Sequence, residues 1–175
     1  MSTLALARAR NVRLMGFDVD GVLTDGHLYF SADGDVMKAF HSRDGLGMKM
    51  LANAGIRLAL ITGRKSALVA RRAENLGIEL VFQGVEDKRA VMAELLAREG
   101  LDFTQAGYMG DDVVDLAIMA ACGFAATVPD GHALVKQQAH YVARRPAGLG
   151  AARDVCELIL RAQGKLDQAL APHLG

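Results

Sequence analysis

Leu14-Met15-Gly16-Phe17 is a short apolar run that stops on Asp18-Val19-Asp20-Gly21-Val22-Leu23-Thr24-Asp25-Gly26. A run of this length ending in turn residues predicts a buried strand that halts at an active-site edge. In open α/β sheets, ligands collect at the carboxyl ends of the strands. Two acids one residue apart allow a division of labour, in which one attacks as a nucleophile and the other moves a proton. The pair can also hold a hard cation such as Mg²⁺ through oxygen. The same string suits an Asx turn or a calcium loop. A calcium loop needs further oxygen ligands at alternating positions and a closing Glu. Here Val22, Leu23 and Leu28 fill much of that stretch, and no helical pattern precedes it.

The strand-then-polar-end pattern recurs along the chain. Ile56 to Ile61 predicts a second buried strand, stopping at Thr62-Gly63-Arg64, and 79–83 predicts a third. Residues 105–109 predict a fourth, ending at Gly110-Asp111-Asp112, and 124–128 a fifth. Apolar stripes at helical spacing separate them: Leu46, Met50 and Leu51, then about 65–76, then Val91, Leu95 and Leu96, then 115–121, 132–137 and 151–163. Gly55, Gly77 and Gly100 close three of these helices. Strands alternating with helices predict a Rossmann-like three-layer α/β/α domain around a mostly parallel sheet. One segment departs from the alternation. Two β-like runs around Ala32-Asp33-Gly34-Asp35 predict a hairpin over 27–40. Its apolar residues Leu28, Phe30, Val36 and Phe40 want a partner, so it reads as a flap or an interface.

At 175 residues the chain is about one domain with enough material for a core, and 1–175 is read as a single unit with a tail at 165–175. Its 20 basic and 20 acidic side chains cancel, so long-range attraction to nucleic acid or to an anionic membrane is not the organising force. No apolar run approaches the length of about 18 residues that a membrane span needs. Residues 1–10 lack the apolar core of a signal peptide. Cys122 and Cys156 are far apart, without metal spacing, and read as reduced core thiols of a cytoplasmic protein.

Parallel strands deliver their carboxyl ends to one edge, so Asp18, Asp20, Thr62, Gly63, Arg64, Asp111, Asp112 and Asp115 should converge there. Lys88, opening the helix after the third strand, should join them. This set suits phosphoryl transfer, where charge on the transferred group needs cations and fixed donors. The Thr62 hydroxyl and nearby backbone N–H groups can hold one phosphate oxygen, and Lys88 can neutralise another. A cation held by Asp18, Asp20 and Asp111 can bridge a third. Asp112 and Asp115 are left to hold metal-bound water or to position Lys88.

Together, Asp-Val-Asp-Gly-Val-Leu-Thr-Asp-Gly at 18–26, Ile-Thr-Gly-Arg at 61–64, Lys88, and Gly-Asp-Asp-Val-Val-Asp at 110–115 resemble the four motifs of the haloacid dehalogenase superfamily, in order. The resemblance implies that Asp18 is a nucleophile forming an aspartyl-phosphate. Asp20 would protonate the leaving oxygen and then activate water, with its backbone carbonyl facing a Mg²⁺ cofactor. Residues 40–47 and 148–156 are further similar to the 3-deoxy-D-manno-octulosonate 8-phosphate phosphatases, which makes the resemblance almost full length. That family serves lipopolysaccharide precursor synthesis. It lacks a large cap, keeps a hairpin in the cap's place, and forms homotetramers whose sites borrow from a neighbouring subunit. Ala117 stands where that family has Pro.

An anionic sugar acid needs a cation for its carboxylate, and Arg43, Lys49, Arg64 and Arg72 are the candidates. The family pattern implies substrate contacts from the loop His41-Ser42-Arg43-Asp44-Gly45, from Lys49, Gly63, Arg64 and Arg72, and from Asp20 and Lys88. Two other readings stand beside this one. One is a phosphatase of a related acid, a nonulosonate 9-phosphate. The other is a non-catalytic binding module on the same fold, disfavoured because Asp18, Asp20, Thr62, Lys88 and Asp111 are all present.

Overall fold

The computed structural model describes residues 3–32 and 34–174. Four central strands, β1 (Leu14–Phe17), β4 (Arg57–Thr62), β6 (Ala106–Met109) and β7 (Phe124–Thr127), are almost wholly buried. Continuous burial is what a parallel strand covered on both faces requires, and it explains their unalternating apolar runs. β5 (Leu80–Gln83) and the two-residue β8 (Tyr141–Val142) complete one parallel sheet in the order β5-β4-β1-β6-β7-β8. From β1 the chain first builds outward to β4 and β5, then crosses back to β6. The order therefore reverses between β1 and β6, and the crevice above that point is where such sheets bind ligands.

Helices cover both faces. On one side α1 (Thr3–Ala9), α2 (Ser42–Asn53), α3 (Ala67–Leu76) and α7 (Ala151–Ala162) enclose Phe17, Met48, Leu51, Val155 and Ile159. On the other, α4 (Lys88–Glu99), α5 (Leu116–Ala121) and α6 (Ala133–Gln138) enclose Leu14, Ile61, Met92, Leu95 and Tyr108. Gly16 has a packing reason: a Cβ there would lie 2.8 Å from the Tyr108 ring. Its absence lets that ring lie across β1.

Two features refine the sequence expectation. Residues 3–9 fold as a helix, α1, with Ala5 and Ala9 buried, where no helical pattern is expected ahead of the Asp18 stretch. The C-terminal tail folds as α8 (Leu166–Leu170) and a short 3₁₀ turn, anchored by buried Leu166. Both cysteines are free and buried.

The hairpin forms a separate two-stranded sheet, β2 (Tyr29–Ser31) against β3 (Gly34–Met37). Asp33, in the expected turn, lies outside the described residues. Leu28, Phe30, Val36 and Met37 remain exposed on it, whereas Phe40 has left the hairpin and packs on the core.

Candidate active site

Asp18 is the first residue beyond β1. Its N–H continues the ladder by donating to the Met109 carbonyl at 2.9 Å. The chain then turns sharply, with the N–H groups of Leu23 and Thr24 both donating to the Val19 carbonyl. Gly21 takes φ +83° in this turn. A Cβ at Gly21 would fall 2.1 Å from Asp111 Oδ2. Only glycine therefore leaves the space that the Asp111 carboxylate occupies.

Lys88 is the first residue of α4, and the preceding Asp87 caps the helix by accepting from the Ala90 N–H at 2.9 Å. The Lys88 side chain turns inward and is only 4% exposed. Its Nζ lies 2.8 Å from Asp18 Oδ2 and 2.7 Å from Asp115 Oδ1. The Tyr108 hydroxyl also reaches Asp115 Oδ1, at 3.2 Å, and the Ile61 carbonyl at 3.0 Å. Asp115 Oδ2 accepts from the backbone N–H groups of Asp111 (3.0 Å) and Asp112 (3.3 Å). Both Asp115 oxygens are thus filled by fixed donors from β6, α4 and the loop after β6. Asp112 caps the short 3₁₀ turn Val113–Asp115 and points outward.

Asp18, Asp111 and Asp115 each bring a carboxylate oxygen within 4.8 Å of the others. Burial raises the Asp18 carboxyl to about 6; Asp115 adds to this, and Lys88 opposes it. Burial, followed by the charges of Asp18, Asp115 and Asp112, pushes Asp111 up to about 7. Burial works against the Lys88 charge, but the two carboxylates outweigh it and hold its pKa above the usual value. One ammonium among three carboxylates leaves excess negative charge. Among the described residues, nothing donates to the Asp111 carboxylate. Since Asp115 is saturated, Asp18 and Asp111 are the oxygens left for a cation, and they suit a hard ion such as Mg²⁺ that keeps several waters.

Asp20 turns away from this cluster. Its Oδ1 forms an ion pair with the Lys38 ammonium, and its Oδ2 lies 3.8 Å from Arg64 Nε. Arg64 in turn stacks over the Phe30 ring of the hairpin, 5.1 Å from its centroid. Sequence reasoning missed Lys38 and Tyr108. Strand alternation gave no reason to turn Lys38 inward, and Tyr108 looked like ordinary strand apolar content.

The remaining sequence candidates divide by position. Thr62 ends β4 and is buried; Gly63 and Arg64 follow at the same edge. His41 caps α2, its Nδ1 accepting from the Arg43 N–H at 3.1 Å, and Ser42 opens that helix. Arg72 braces this loop, donating to the His41 carbonyl at 3.3 Å over the Phe40 ring, and the missing Cβ of Gly45 makes room for it. Asp44 is committed within the fold: its oxygens accept from the Gly150 N–H at 3.1 Å and the Arg153 N–H at 2.8 Å, tying α2 to the start of α7. Lys49 lies apart from the carboxylate cluster, in a groove with Lys165, Gln168 and His173 of the tail.

No protein-family model matches the chain. A Yersinia pestis protein named 3-deoxy-D-manno-octulosonate 8-phosphate phosphatase is 45% identical over 164 residues, spanning 94% of this chain and 88% of that protein. A Moraxella catarrhalis crystal structure of a phosphatase of the same name, in complex with magnesium ion, phosphate ion and KDO, superposes with a TM-score of 0.95 at 39% identity, covering 99% of each chain. A Legionella pneumophila structure assigned to subfamily III A of the haloacid dehalogenase superfamily gives a TM-score of 0.93 at 37% identity, over 98% of this chain and 94% of that one.

Proposed function

The chain belongs to the 3-deoxy-D-manno-octulosonate 8-phosphate phosphatase family of the haloacid dehalogenase superfamily, and from that premise we propose that it hydrolyses this ester to the free sugar acid and phosphate, with Mg²⁺ as cofactor. The observation that carries the reading is the buried Lys88 ammonium bridging Asp18 and Asp115 at the switch point of the sheet. It supplies a fixed cation beside the Asp18 carboxylate, whose other oxygen is held by the Val19 N–H at 2.7 Å.

In the first step an Asp18 oxygen attacks phosphorus. The bond from phosphorus to the sugar oxygen breaks, its electron pair stays on that oxygen, and the Asp20 carboxyl provides the proton. In the second step water attacks the aspartyl-phosphate and gives its proton to Asp20. The phosphorus–oxygen electron pair then returns to the Asp18 carboxylate. Lys88 and the Thr62 hydroxyl hold phosphate oxygens, and Asp115 holds Lys88. Asp18, Asp111 and the Asp20 main-chain carbonyl would hold Mg²⁺, which when bound offsets the repulsion between nucleophile and phosphate.

On this reading Arg43 and Arg64, with His41, Ser42, Gly45 and Gly63, contact the sugar acid. Lys49, set apart from the carboxylates, acts on this reading at a neighbour's site within a homotetramer, and Arg72 acts through the His41 loop that it braces. The exposed apolar hairpin supports that assembly. Pathway and composition together support a cytoplasmic enzyme, and no described helix is long and apolar enough to cross a membrane.

Phosphate release from 3-deoxy-D-manno-octulosonate 8-phosphate, measured with Mg²⁺ and with chelator, tests the reading. Faster turnover of a nonulosonate 9-phosphate would reassign the substrate. No release from either acid would sink the proposal.

A further inference from the structure

The hairpin is exposed along most of its length, and Phe30, Val36 and Met37 are at least half exposed. Yet the next residue, Lys38, has a side chain only 2% exposed. A buried ammonium is costly unless it is paired. Asp20 Oδ1 is the anion that pairs with it. The other Asp20 oxygen faces Arg64, whose guanidinium is stacked on the hairpin's Phe30. Each oxygen of the carboxylate is therefore held by a different cation. Lys38 belongs to the hairpin's return segment, and Arg64 leans on the hairpin's outgoing strand. The hairpin thus contributes to both contacts that orient Asp20.

We propose that Lys38 is a positioning residue for the second half of the reaction: it holds the Asp20 carboxylate where it accepts the proton of the attacking water, and only when the hairpin is closed. This rests on the reading of Asp20 as proton carrier. In that half-reaction the water oxygen bonds to phosphorus, the bond from phosphorus to Asp18 breaks with its electron pair returning to Asp18, and the water proton goes to Asp20. The two contacts fix the direction of the carboxylate before the proton moves. Phosphoryl transfer to Asp18 needs Asp20 as a donor instead and depends less on the Lys38 contact. Loss of Lys38 should thus slow hydrolysis of the phosphoenzyme more than its formation.

The test uses the full chain, saturating Mg²⁺, and sugar-acid phosphate labelled with ³²P at the ester. In Lys38→Met, kcat should fall by about 10- to 100-fold, less than the roughly 10²- to 10⁴-fold that a proton carrier itself contributes, because Lys38 only positions it. The ratio kcat/KM, which ends at formation of the phosphoenzyme, should fall far less, so KM falls with kcat. Acid quenching in the steady state should trap a larger fraction of labelled protein than in the parent. Lys38→Gln, which keeps a hydrogen-bond donor, should shift in the same direction by a smaller amount, and it decides the matter if Lys38→Met does not fold. Equal loss of kcat and kcat/KM without extra trapped phosphoenzyme would overturn the proposal and leave the phosphatase reading standing. Absence of turnover in the parent protein would remove both.

Discussion

Two charged clusters meet at this site, and they are built differently. The floor consists of Asp18, Lys88 and Asp115, side chains from a strand end, a helix start and the 3₁₀ turn after β6, all deeply buried. Every oxygen of Asp115 is met by a donor that the sheet or helix already fixes. The roof consists of Asp20, Lys38, Arg64 and Phe30, and one ion pair, Asp20 to Lys38, and one stack, Arg64 on Phe30, fasten it to a hairpin whose Phe30 is 57% exposed. The floor is preorganised by the core itself, so it should tolerate nothing. The roof is held by contacts that can open, as admitting a substrate requires.

The sharpest test of the floor is Asp18→Asn. The amide keeps the shape and loses the nucleophile, so turnover should fall by about 10⁴-fold or more with the circular dichroism spectrum unchanged. Activity retained in that variant would remove the covalent mechanism.

Lys88→Met separates the floor's electrostatics from its chemistry. It leaves two buried carboxylates without their ammonium, a defect worth about 3–5 kcal/mol in denaturant titration. Mg²⁺ should recover part of that loss. A cost under about 1 kcal/mol, the scale of a surface pair, would mean the floor is not rigidly built.

The raised Asp18 and Asp111 carboxyls make Mg²⁺ binding depend on pH. With values of about 6 and about 7, both hold protons that a metal must displace as pH falls. Apparent Mg²⁺ affinity should therefore drop by about 10-fold per proton displaced for each pH unit below these values, read by calorimetry between pH 5.5 and 8. The same retained protons give the metal-free fold the opposite pH dependence. It keeps protons that the unfolded chain has released, so its stability declines as pH rises from about 4 to 7, and Mg²⁺ removes the decline. An affinity flat across that range would contradict the excess negative charge assigned to the floor.

The smallest effect belongs to the roof. Phe30→Ser should change the thermal midpoint of the isolated fold little, within about 0.5 kcal/mol, because the ring is mostly in solvent. Light scattering should nevertheless report smaller particles if the hairpin joins subunits. An unchanged particle size would confine the hairpin to its own site.

How much of this was legible in advance follows the same division. The floor's strand ends were readable because chain direction alone carries Asp18, Thr62 and Asp111 to one edge of a parallel sheet. Lys88 followed from its place at the head of the next helix. The hairpin was readable as a hairpin, from two β-like runs about a turn. Its contact with Asp20 was not, because alternation assigns Lys38 a face but not a partner. Asp44 shows the opposite error of scale. Its place in a loop that resembles a substrate-binding motif says nothing of Gly150 and Arg153, more than a hundred residues away, whose N–H groups occupy it.

The sequence by itself determined the layered fold, the order of the strand ends and the identity of the polar groups delivered to them. Short apolar runs, helical periodicity and turn residues act over a few positions and need no distant partner. Only the tertiary structure decided which of those groups satisfy one another. It saturated Asp115, left Asp111 in the cradle beside Gly21, turned Asp20 toward Lys38 and Arg64, and set Lys49 apart against the tail. Pairing of charges depends on distances of a few ångströms between residues far apart in the chain, and those distances exist only once the layers have packed.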